Sequence, residues 1–364
     1  MSSGYVFDIS GCHDSRESSD SMSCSSSLTM SFDRSESGNY CQSFFNLSDG
    51  NPEILIENIP AELRQHTFNI KDCGYQEPQG TLDGLILDTH RCYHPRLPLS
   101  THNSVTVGHG STQIIYNAIL ALKEILGRRV VIWYQKPHYP YMYELLNNDS
   151  NCILRDNEFT KDGVDVEIVT TPNNPTGEER SFETLAKYHI IDCAYSWPQY
   201  TDSDMNLLPI YTENMYVFSF SKLSGLGGLR VGWSLSHPGP WADALRNRIY
   251  LTHMSSIVPS INVVKMFLNY ILINPEITRG LWYSLRKKME ELRSYLSRLL
   301  PVTNSSGPYC WVKMKKNELE RQYNIIGKDG TDFGEPNYTR LSLMGSESNK
   351  ISLIPYIDRL LDGM

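Results

Sequence analysis

The middle of the chain alternates short apolar runs with longer segments that have helical periodicity. Apolar runs at residues 129–134, 166–170 and 189–191, and a fourth that ends at Lys222, are predicted to be buried strands. Strands that alternate with helical stretches such as residues 114–126 are typical of a mainly parallel sheet with helices on both faces. The pattern therefore predicts an α/β fold.

The C-terminal part of the chain has a different pattern. A long amphipathic helix is predicted at residues 280–300, two short alternating strands follow at 310–313 and 338–343, and a last helix is predicted at 354–361. This mixture predicts a smaller α+β domain beside the α/β domain.

The first part of the chain differs from the rest in composition. Residues 1–40 are rich in serine and poor in aliphatic side chains, so they cannot bury enough apolar surface to offset their chain entropy. We predict that they form a disordered tail. Residues 41–70 are assigned to the small domain, 71–279 to the large domain, and 280–364 to the rest of the small domain.

Composition and charge exclude several classes of protein. The chain has 364 residues, 40% of them hydrophobic, and a net charge of -8, which argues against nucleic acid or an anionic membrane as the main partner. No stretch approaches the roughly 18 apolar residues of a membrane helix, and no apolar signal segment begins the chain, so a cytoplasmic location is predicted. The 8 cysteines include no CxxC pair, which predicts reduced thiols and no metal site.

Lys222 is the residue on which the chemical interpretation depends. It follows an apolar run, lies between serines, and is followed by a glycine-rich turn at 225–228 and by Arg230. Burial and a nearby cation both favour the neutral amine, which is a nucleophile. A lone lysine beside a flexible loop is more often an ordinary surface residue, so this assignment needs support from the rest of the chain.

Other polar and aromatic residues also fall just past the ends of predicted strands. Tyr139, Asn174 and Asp192 each do so, and residues 110–112 open a predicted helix. The helix start is consistent either with an ordinary capped end or with an anion site. Because α/β proteins place ligands at the carboxyl ends of their strands, the repeated placement predicts a site there.

A site for pyridoxal 5′-phosphate needs several groups at once. These are a lysine for the aldehyde, an acid at the ring nitrogen, a donor at the phenolic oxygen, a stacking ring, an anion cradle and an arginine for the substrate carboxylate. The candidates are Gly110, Ser111, Thr112, Tyr139, Asn174, Asp192, Tyr195, Ser219, Lys222, Arg230 and Arg340. Their joint occurrence favours such an enzyme over an ordinary surface lysine.

The sequence also resembles a known family. The stretches that carry the resemblance are VGHGSTQ (107–113), TPNNPTG (171–177), DCAYSWPQYT (192–201), FSKLSGLGGLRVGW (220–233), GPYCWVKM (307–314) and NYTRLSLMGS (337–346). Over about residues 44–362 the chain is similar to the fold-type I pyridoxal-phosphate aminotransferases, and within them to the alliinase/tryptophan aminotransferase-related family. The resemblance implies a large domain with a mostly parallel seven-stranded sheet flanked by helices, plus a smaller α+β domain.

The resemblance assigns a role to each matching residue. Lys222 would bind the cofactor aldehyde and move the substrate proton, Asp192 would pair with the ring nitrogen, and Arg340 would hold the substrate carboxylate. The other implied contacts are Asn174 and Tyr195 to the phenolic oxygen, Tyr139 to the ring face, Gly110, Ser111, Thr112, Ser219 and Arg230 to the phosphate, and Gly50 and Asn174 to the substrate. Tyr75 would reach the phosphate of the neighbouring subunit, which implies a homodimer with shared sites.

The implied activity is transamination of an aromatic L-amino acid. L-tryptophan would give indole-3-pyruvate, as in the plant-type route to auxin, with a 2-oxo acid such as pyruvate as acceptor. The alternative is an alliinase-like C–S lyase that acts on cysteine S-conjugates. Both reactions begin with removal of the same Cα proton, so the sequence leaves the choice open. The cysteine-rich module of alliinases is absent near the N-terminus, which weighs against a secreted lyase, and intact Lys222, Asp192 and Arg340 weigh against a non-catalytic homologue.

Overall fold

The structure of the protein is a computed structural model. It describes residues 45–64, 81–95, 97, 99, 104–155, 163–184, 186–201, 213–253, 257–303 and 307–362. All of them lie within the unit Gln42–Met364. Tyr75 and the predicted tail at residues 1–40 lie outside the described residues, and the predicted domain boundaries at residues 71 and 280 stay predictions.

Strands and helices alternate along most of the described chain. The strands are β1 (Phe45–Asn46), β2 (Ser104–Gly108), β3 (Val130–Tyr134), β4 (Cys152–Arg155), β5 (Val166–Thr170), β6 (Tyr188–Asp192), β7 (Asn214–Ser219), β8 (Gly232–Ser236), β9 (Tyr309–Val312), β10 (Ile325–Ile326), β11 (Lys328–Asp329) and β12 (Thr339–Ser342). The helices are α1 (Glu53–Glu57), α2 (Ala61–Arg64), α3 (Thr81–Tyr93), α4 (Ser111–Leu126), α5 (Pro140–Asn147), α6 (Phe220–Ser224), α7 (Pro240–His253), α8 (Val258–Ile273), α9 (Pro275–Leu299), α10 (Lys316–Tyr323) and α11 (Glu347–Asp362). Of the helices in this described part, none has both the length and the apolar character needed to cross a membrane.

The central sheet contains seven strands in the order β2-β8-β7-β6-β5-β3-β4. All neighbouring strands pair parallel except β8, which is antiparallel to both β2 and β7. β3, β5 and β7 are buried along their whole length. Strands covered on both faces read as continuous apolar runs, which is why the sequence pattern identified them. The predicted mostly parallel seven-stranded sheet flanked by helices is confirmed.

The two faces of the sheet support two apolar cores. Along β7, Met215 and Val217 pack into the core that includes α4 and α7, whereas Tyr216 and Phe218 pack into the core that includes α8 and α9. Successive side chains of a strand point to opposite faces, so one strand supplies both cores. The sheet is therefore held rigidly between two layers of helices.

The direction of the strands gathers the loops at one edge of the sheet. β2, β3, β5, β6 and β7 run in one direction, so their carboxyl ends lie at the same edge. β8 runs in the opposite direction and therefore begins at that edge. The segments that leave or enter there carry Gly110, Tyr139, Asn174, Asp192 and Arg230.

The C-terminal part brings a second set of residues to the same place. β11, β12 and β9 form an antiparallel sheet with β12 in the centre, and β1 pairs parallel with β10. Arg340 lies on β12 opposite Trp311 of β9. With helices α9, α10 and α11, this part has the predicted α+β composition.

Three predicted element boundaries were wrong, and one of them is the start of the last helix, which begins at Glu347 rather than at residue 354. The fourth predicted strand does not reach Lys222, because β7 ends at Ser219 and Lys222 lies on the short helix α6, which ends at Gly225 with a φ of 86°. A left-handed φ is readily adopted only by glycine, so Gly225 closes this turn. The long helix begins at Pro275 rather than at residue 280, because a proline is accepted in the first helical turn.

A buried chain of hydrogen bonds joins α3, β8 and the loop after β6. Trp233 Nε1 donates to His90 Nε2 at 2.8 Å, His90 Nδ1 lies 2.9 Å from His94 Nδ1, and His94 Nε2 lies 2.6 Å from the carbonyl oxygen of Ser196. Because an indole N–H can only donate, His90 carries its proton on Nδ1 and donates to His94, which in turn donates to Ser196. Burial, with a smaller contribution from His94, lowers the pKa of His90 well below its usual value of 6.5. His90 is therefore neutral in the folded protein.

We predict that His90→Leu lowers the free energy of unfolding by about 1–3 kcal/mol at pH 7.5, because Trp233 Nε1 and His94 Nδ1 lose their partners. The control is His237→Leu at an exposed position. Since the folded-state pKa of His90 lies below the unfolded value, its contribution to stability is complete above pH 6.5 and is lost as the pH falls further. Urea denaturation should therefore show a gap between wild type and His90→Leu that narrows from pH 6.5 to 5. A gap that stays constant contradicts this assignment.

Candidate active site

A cavity of about 620 Å³ lies at the sheet edge where the loops converge. Most of the residues that the sequence predicted for the site line it, namely Gly50, Ser111, Thr112, Tyr139, Asn174, Asp192, Tyr195, Ser219, Lys222, Arg230 and Arg340. Gly110 lies behind this wall, against Arg230. Tyr75 lies outside the described residues, so its predicted contact with a neighbouring subunit stays a prediction.

Lys222 projects from α6 into the cavity. Its Nζ donates to the carbonyl oxygen of Gly50 at 2.8 Å, and its own carbonyl accepts a hydrogen bond from Tyr200 Oη at 2.8 Å. Burial, and then the nearby charge of Arg340, lower the pKa of Lys222 from 10.5 to about 8. About a tenth of the amine is therefore neutral at pH 7 and about half at pH 8, and the neutral form is the one that a nucleophile or a general base requires.

Asp192 ends β6 and is nine-tenths buried. Burial raises its pKa from 3.8 to about 6, although its Oδ1 accepts a hydrogen bond from the backbone N–H of Ala194 at 3.1 Å and Lys222 is a nearby positive charge. A buried carboxylate with so few donors favours a protonated nitrogen or another cation as its ligand.

The start of α4 and the segment around Arg230 form an anion cradle. α4 begins at Ser111, so its first backbone N–H groups have no acceptor within the helix. Arg230 has a left-handed φ of 52°, and its guanidinium lies so near Gly110 that a Cβ there would be 2.7 Å from Nη2. Within the described residues, the buried Ser221 Oγ has no hydrogen-bond partner. The cradle therefore offers a cation, backbone donors and an unused hydroxyl group to an anion.

Arg340 forms the opposite part of the cavity wall. Its Nη1 donates to Asn174 Oδ1 at 2.9 Å, and its Nη2 donates to the carbonyl oxygen of Ser48 at 2.8 Å. The guanidinium lies 4.5 Å from the centre of the Tyr309 ring. In the described part of the chain, its buried Nε has no partner. A buried cation without a carboxylate partner is suited to a carboxylate ligand.

Gly50 lies between Arg340 and Tyr309. A Cβ at this position would lie 3.0 Å from Tyr309 Oη and 3.5 Å from Arg340 Nη2. A glycine is therefore needed for backbone to approach the guanidinium this closely.

Several lining residues were not predicted from the sequence. They are Asp49, Ser221, Tyr309 and Phe333, among others. Ser221 directly precedes Lys222, and that adjacency was the one signal that could have identified it. Tyr309 lies within the stretch GPYCWVKM, but nothing in its spacing relates it to Tyr195, which is 114 positions away and hydrogen-bonded to it.

Comparison with known proteins agrees with this geometry. Residues 99–259 match the sequence model of a family described as "Allinase". Residues 99–259 are therefore similar to the alliinase domain. It is 26% identical over 231 residues to tryptophan aminotransferase-related protein 4 of Arabidopsis thaliana, a match that covers 54% of this chain and 47% of that protein. It is 24% identical over 304 residues to alliin lyase 1 of Allium sativum, covering 70% of this chain and 60% of the lyase. The chain thus spans about half the length of the first relative.

The fold of the described chain is shared with solved aminotransferases. The aspartate aminotransferase of Rhizobium meliloti superposes with a TM-score of 0.69 at 14% identity, covering 88% of this chain and 92% of that one. The architecture is that of the fold-type I pyridoxal-phosphate enzymes, as predicted. Alliinases and fold-type I aminotransferases use pyridoxal 5′-phosphate.

The cavity at the sheet edge fits this cofactor. The unused Ser221 Oγ, the start of α4 and Arg230 suit the phosphate, Asp192 suits a protonated ring nitrogen, and Lys222 suits the aldehyde. When bound, pyridoxal phosphate withdraws electrons from the Cα atom of an amino acid and makes its C–H bond acidic.

We predict that Asp192→Asn stabilises the cofactor-free protein at pH 8. The folded-state pKa of Asp192 lies above the unfolded value of 3.8, so its contribution to stability is complete below pH 3.8 and is lost as the pH rises through about 6. At pH 8 the ionised carboxylate costs about 3 kcal/mol, whereas an amide keeps the acceptor for Ala194 and has no charge.

Urea denaturation between pH 4 and 8 measures this effect. The advantage of Asp192→Asn should grow up to pH 6–7 and then stay level, while the exposed control Asp243→Asn should differ little from wild type. A stabilisation of Asp192→Asn that does not depend on pH would rule out the buried charge as its cause.

Proposed function

We propose that this protein is a pyridoxal-phosphate-dependent aminotransferase that acts on an aromatic L-amino acid, with L-tryptophan converted to indole-3-pyruvate and a 2-oxo acid such as pyruvate as acceptor. The observation that carries the proposal is that Lys222 Nζ and the guanidinium of Arg340 border one cavity, which Asp192 and the anion cradle also line. A base, a carboxylate site and a cofactor site are thus within reach of one small molecule.

In this proposal Lys222 is both the cofactor-binding lysine and the base. Its lowered pKa of about 8 leaves about a tenth of the amine neutral at pH 7 and about half at pH 8. With the cofactor bound, Nζ would take the proton from the substrate Cα and hold it for the next transfer. The hydrogen bonds to its backbone carbonyl from Tyr200 and Gln199 fix α6, so the amine returns to one position after each transfer.

Arg340 orients the substrate by its α-carboxylate. The guanidinium is held by Asn174 and Ser48 and still has an unused Nε in the cavity wall. Pairing with the carboxylate compensates a buried positive charge. The aromatic lining of the rest of the cavity, Tyr139, Tyr141, Tyr309 and Phe333, supports an aromatic side chain on the substrate.

A C–S lyase that acts on cysteine S-conjugates is the second candidate. This candidate is favoured by the similarity to alliin lyases, because the sequence identity to alliin lyase 1 is close to the identity to tryptophan aminotransferase-related protein 4. Both reactions use Lys222 to remove the Cα proton. They differ in whether that proton is then delivered to the cofactor carbon or a β-substituent leaves.

The deciding experiment supplies both substrate classes to the purified, cofactor-loaded protein. We expect L-tryptophan with pyruvate to give indole-3-pyruvate and alanine, and an S-alkyl cysteine sulfoxide to give no pyruvate and ammonia. Lys222→Ala is the control, and it should abolish multiple turnovers because the base is missing. Pyruvate from the sulfoxide alone would make the protein a lyase, and turnover by Lys222→Ala would refute the assigned mechanism.

We predict that Arg340→Ala raises KM for both the amino acid and the 2-oxo acid by about 10²–10³-fold, because about 3–4 kcal/mol of charge-assisted hydrogen bonding to the carboxylate is lost. Steady-state kinetics with each substrate varied in turn measures the change. Arg321→Ala, on the exposed side of α10, is the matched control and should leave KM unchanged. Unaltered KM values for Arg340→Ala would show that the carboxylate is bound elsewhere.

A further inference from the structure

Tyr309 forms a buried phenol pair with Tyr195. The two Oη atoms lie 2.5 Å apart, although Tyr195 follows β6 and Tyr309 is on β9. Both side chains border the cavity, and within the described residues each hydroxyl group bonds only to the other. A phenol has one proton to donate, so one member of the pair donates and the other accepts. The direction decides which hydroxyl group keeps its proton for a ligand.

Arg340 determines this direction. Its guanidinium lies 4.5 Å from the centre of the Tyr309 ring, and this charge opposes the rise that burial causes in the pKa of Tyr309. For Tyr195, burial and then Tyr309 itself raise the pKa well above its usual value. Arg340 also lowers the pKa of Tyr195, but there its effect ranks below the opposing effect of Tyr309, whereas for Tyr309 it is the largest effect after burial. Tyr309 is therefore the more acidic phenol and the better donor, so Tyr309 donates and Tyr195 accepts.

Accepting this hydrogen bond changes what Tyr195 does. Its own O–H is directed away from Tyr309 and towards the cavity, which Lys222 enters 5.3 Å from the Tyr195 ring. A hydroxyl group that accepts a hydrogen bond also becomes a stronger donor, because the bonds polarise one another. Tyr309 therefore orients the O–H group of Tyr195 and makes it a stronger hydrogen-bond donor.

We propose that Tyr309 is a positioning residue that donates to Tyr195 and thereby sets the strength of the Tyr195 hydrogen bond to the phenolic oxygen of the cofactor. The inference rests on the proposed cofactor role of Tyr195. It also links the two halves of the site, because a carboxylate bound at Arg340 neutralises the charge that makes Tyr309 a good donor. Substrate binding is thus communicated to the cofactor through Tyr309 and Tyr195, in parallel with the contact between Arg340 and Asn174.

The test is a pH titration of the visible absorbance of the bound cofactor, without substrate. A donor to the phenolic oxygen stabilises its anion and lowers the pH of the absorbance change. Tyr309→Phe removes the hydroxyl group and keeps the ring beneath Arg340, so the titration midpoint should rise by about 0.5–1 pH unit. An unchanged midpoint overturns the proposal.

Two further variants distinguish a positioning role of Tyr309 from a general loss of structure. Tyr93→Phe removes another buried phenol, which donates to the carbonyl oxygen of Ile271 at 2.6 Å and is not among the residues that line the cavity. This variant should leave the midpoint unchanged. In a Tyr195→Phe background, adding Tyr309→Phe should cause no further shift, since Tyr309 acts through Tyr195. A shift of equal size in that background would overturn the proposed route.

A second measurement covers the case in which Tyr309→Phe does not fold. Gly50→Ala keeps Tyr309 but places a methyl group 3.0 Å from its Oη, and the displaced phenol should raise the midpoint in the same direction. An unchanged midpoint in this folded variant likewise overturns the proposal. Because the titration needs only bound cofactor, its outcome is independent of whether the substrate assays show a transaminase or a lyase.

Discussion

Burial of the central strands on both faces is the constraint on which the rest of the structure depends. β5 and β7 have helices on either side, so their positions are almost entirely apolar and their backbone groups are satisfied within the sheet. Within β5 the buried Glu167 accepts hydrogen bonds from the backbone N–H groups of Glu183 and Thr184, whereas Asp192 lies at the end of β6 and Lys222 lies just beyond β7. Because six strands of the sheet run in one direction, their carboxyl ends meet at one edge, and Asn174, Asp192 and Lys222 are brought together there by topology.

The site concentrates charge where water is largely excluded. Burial raises the pKa of Asp192 and lowers that of Lys222, so each group is pushed towards its neutral form. Arg340 adds a buried cation that, among the residues the structure describes, has hydrogen-bond partners but no carboxylate partner. Burying such groups lowers the stability of the folded protein, because charges are removed from water without being fully paired. A ligand with the opposite charges pairs with them, and this pairing favours ligand binding. Pyridoxal phosphate and an amino acid carry the charges that this cavity lacks.

The cavity is assembled from two parts of the chain. The sheet edge supplies the lysine, the acid and the anion cradle, while β9, β12 and the segment after β1 supply Tyr309, Arg340 and Gly50. Two contacts join these parts, Arg340 with Asn174 and Tyr309 with Tyr195. A substrate that binds at Arg340 therefore acts on both groups that face the phenolic oxygen of the cofactor in the proposed function.

The sequence by itself was sufficient to predict those strands and site residues that are recognisable from their immediate neighbours in the chain. Continuous apolar runs identified β3, β5, β6 and most of β7, because a strand that is buried on both faces has apolar residues at consecutive positions. The polar residues at or just beyond the ends of these runs identified Lys222, Asp192 and Asn174. The short strands β4 and β8 have no such distinct pattern, and the helical turn that carries Lys222 depends on Gly225 and on packing. Tertiary structure alone decided the antiparallel direction of β8, the pairing of Tyr195 with Tyr309, and the approach of Gly50 to Arg340. The last two contacts join residues more than 100 positions apart, and local periodicity contains no information about which distant segments will pack together or in which direction two strands will pair.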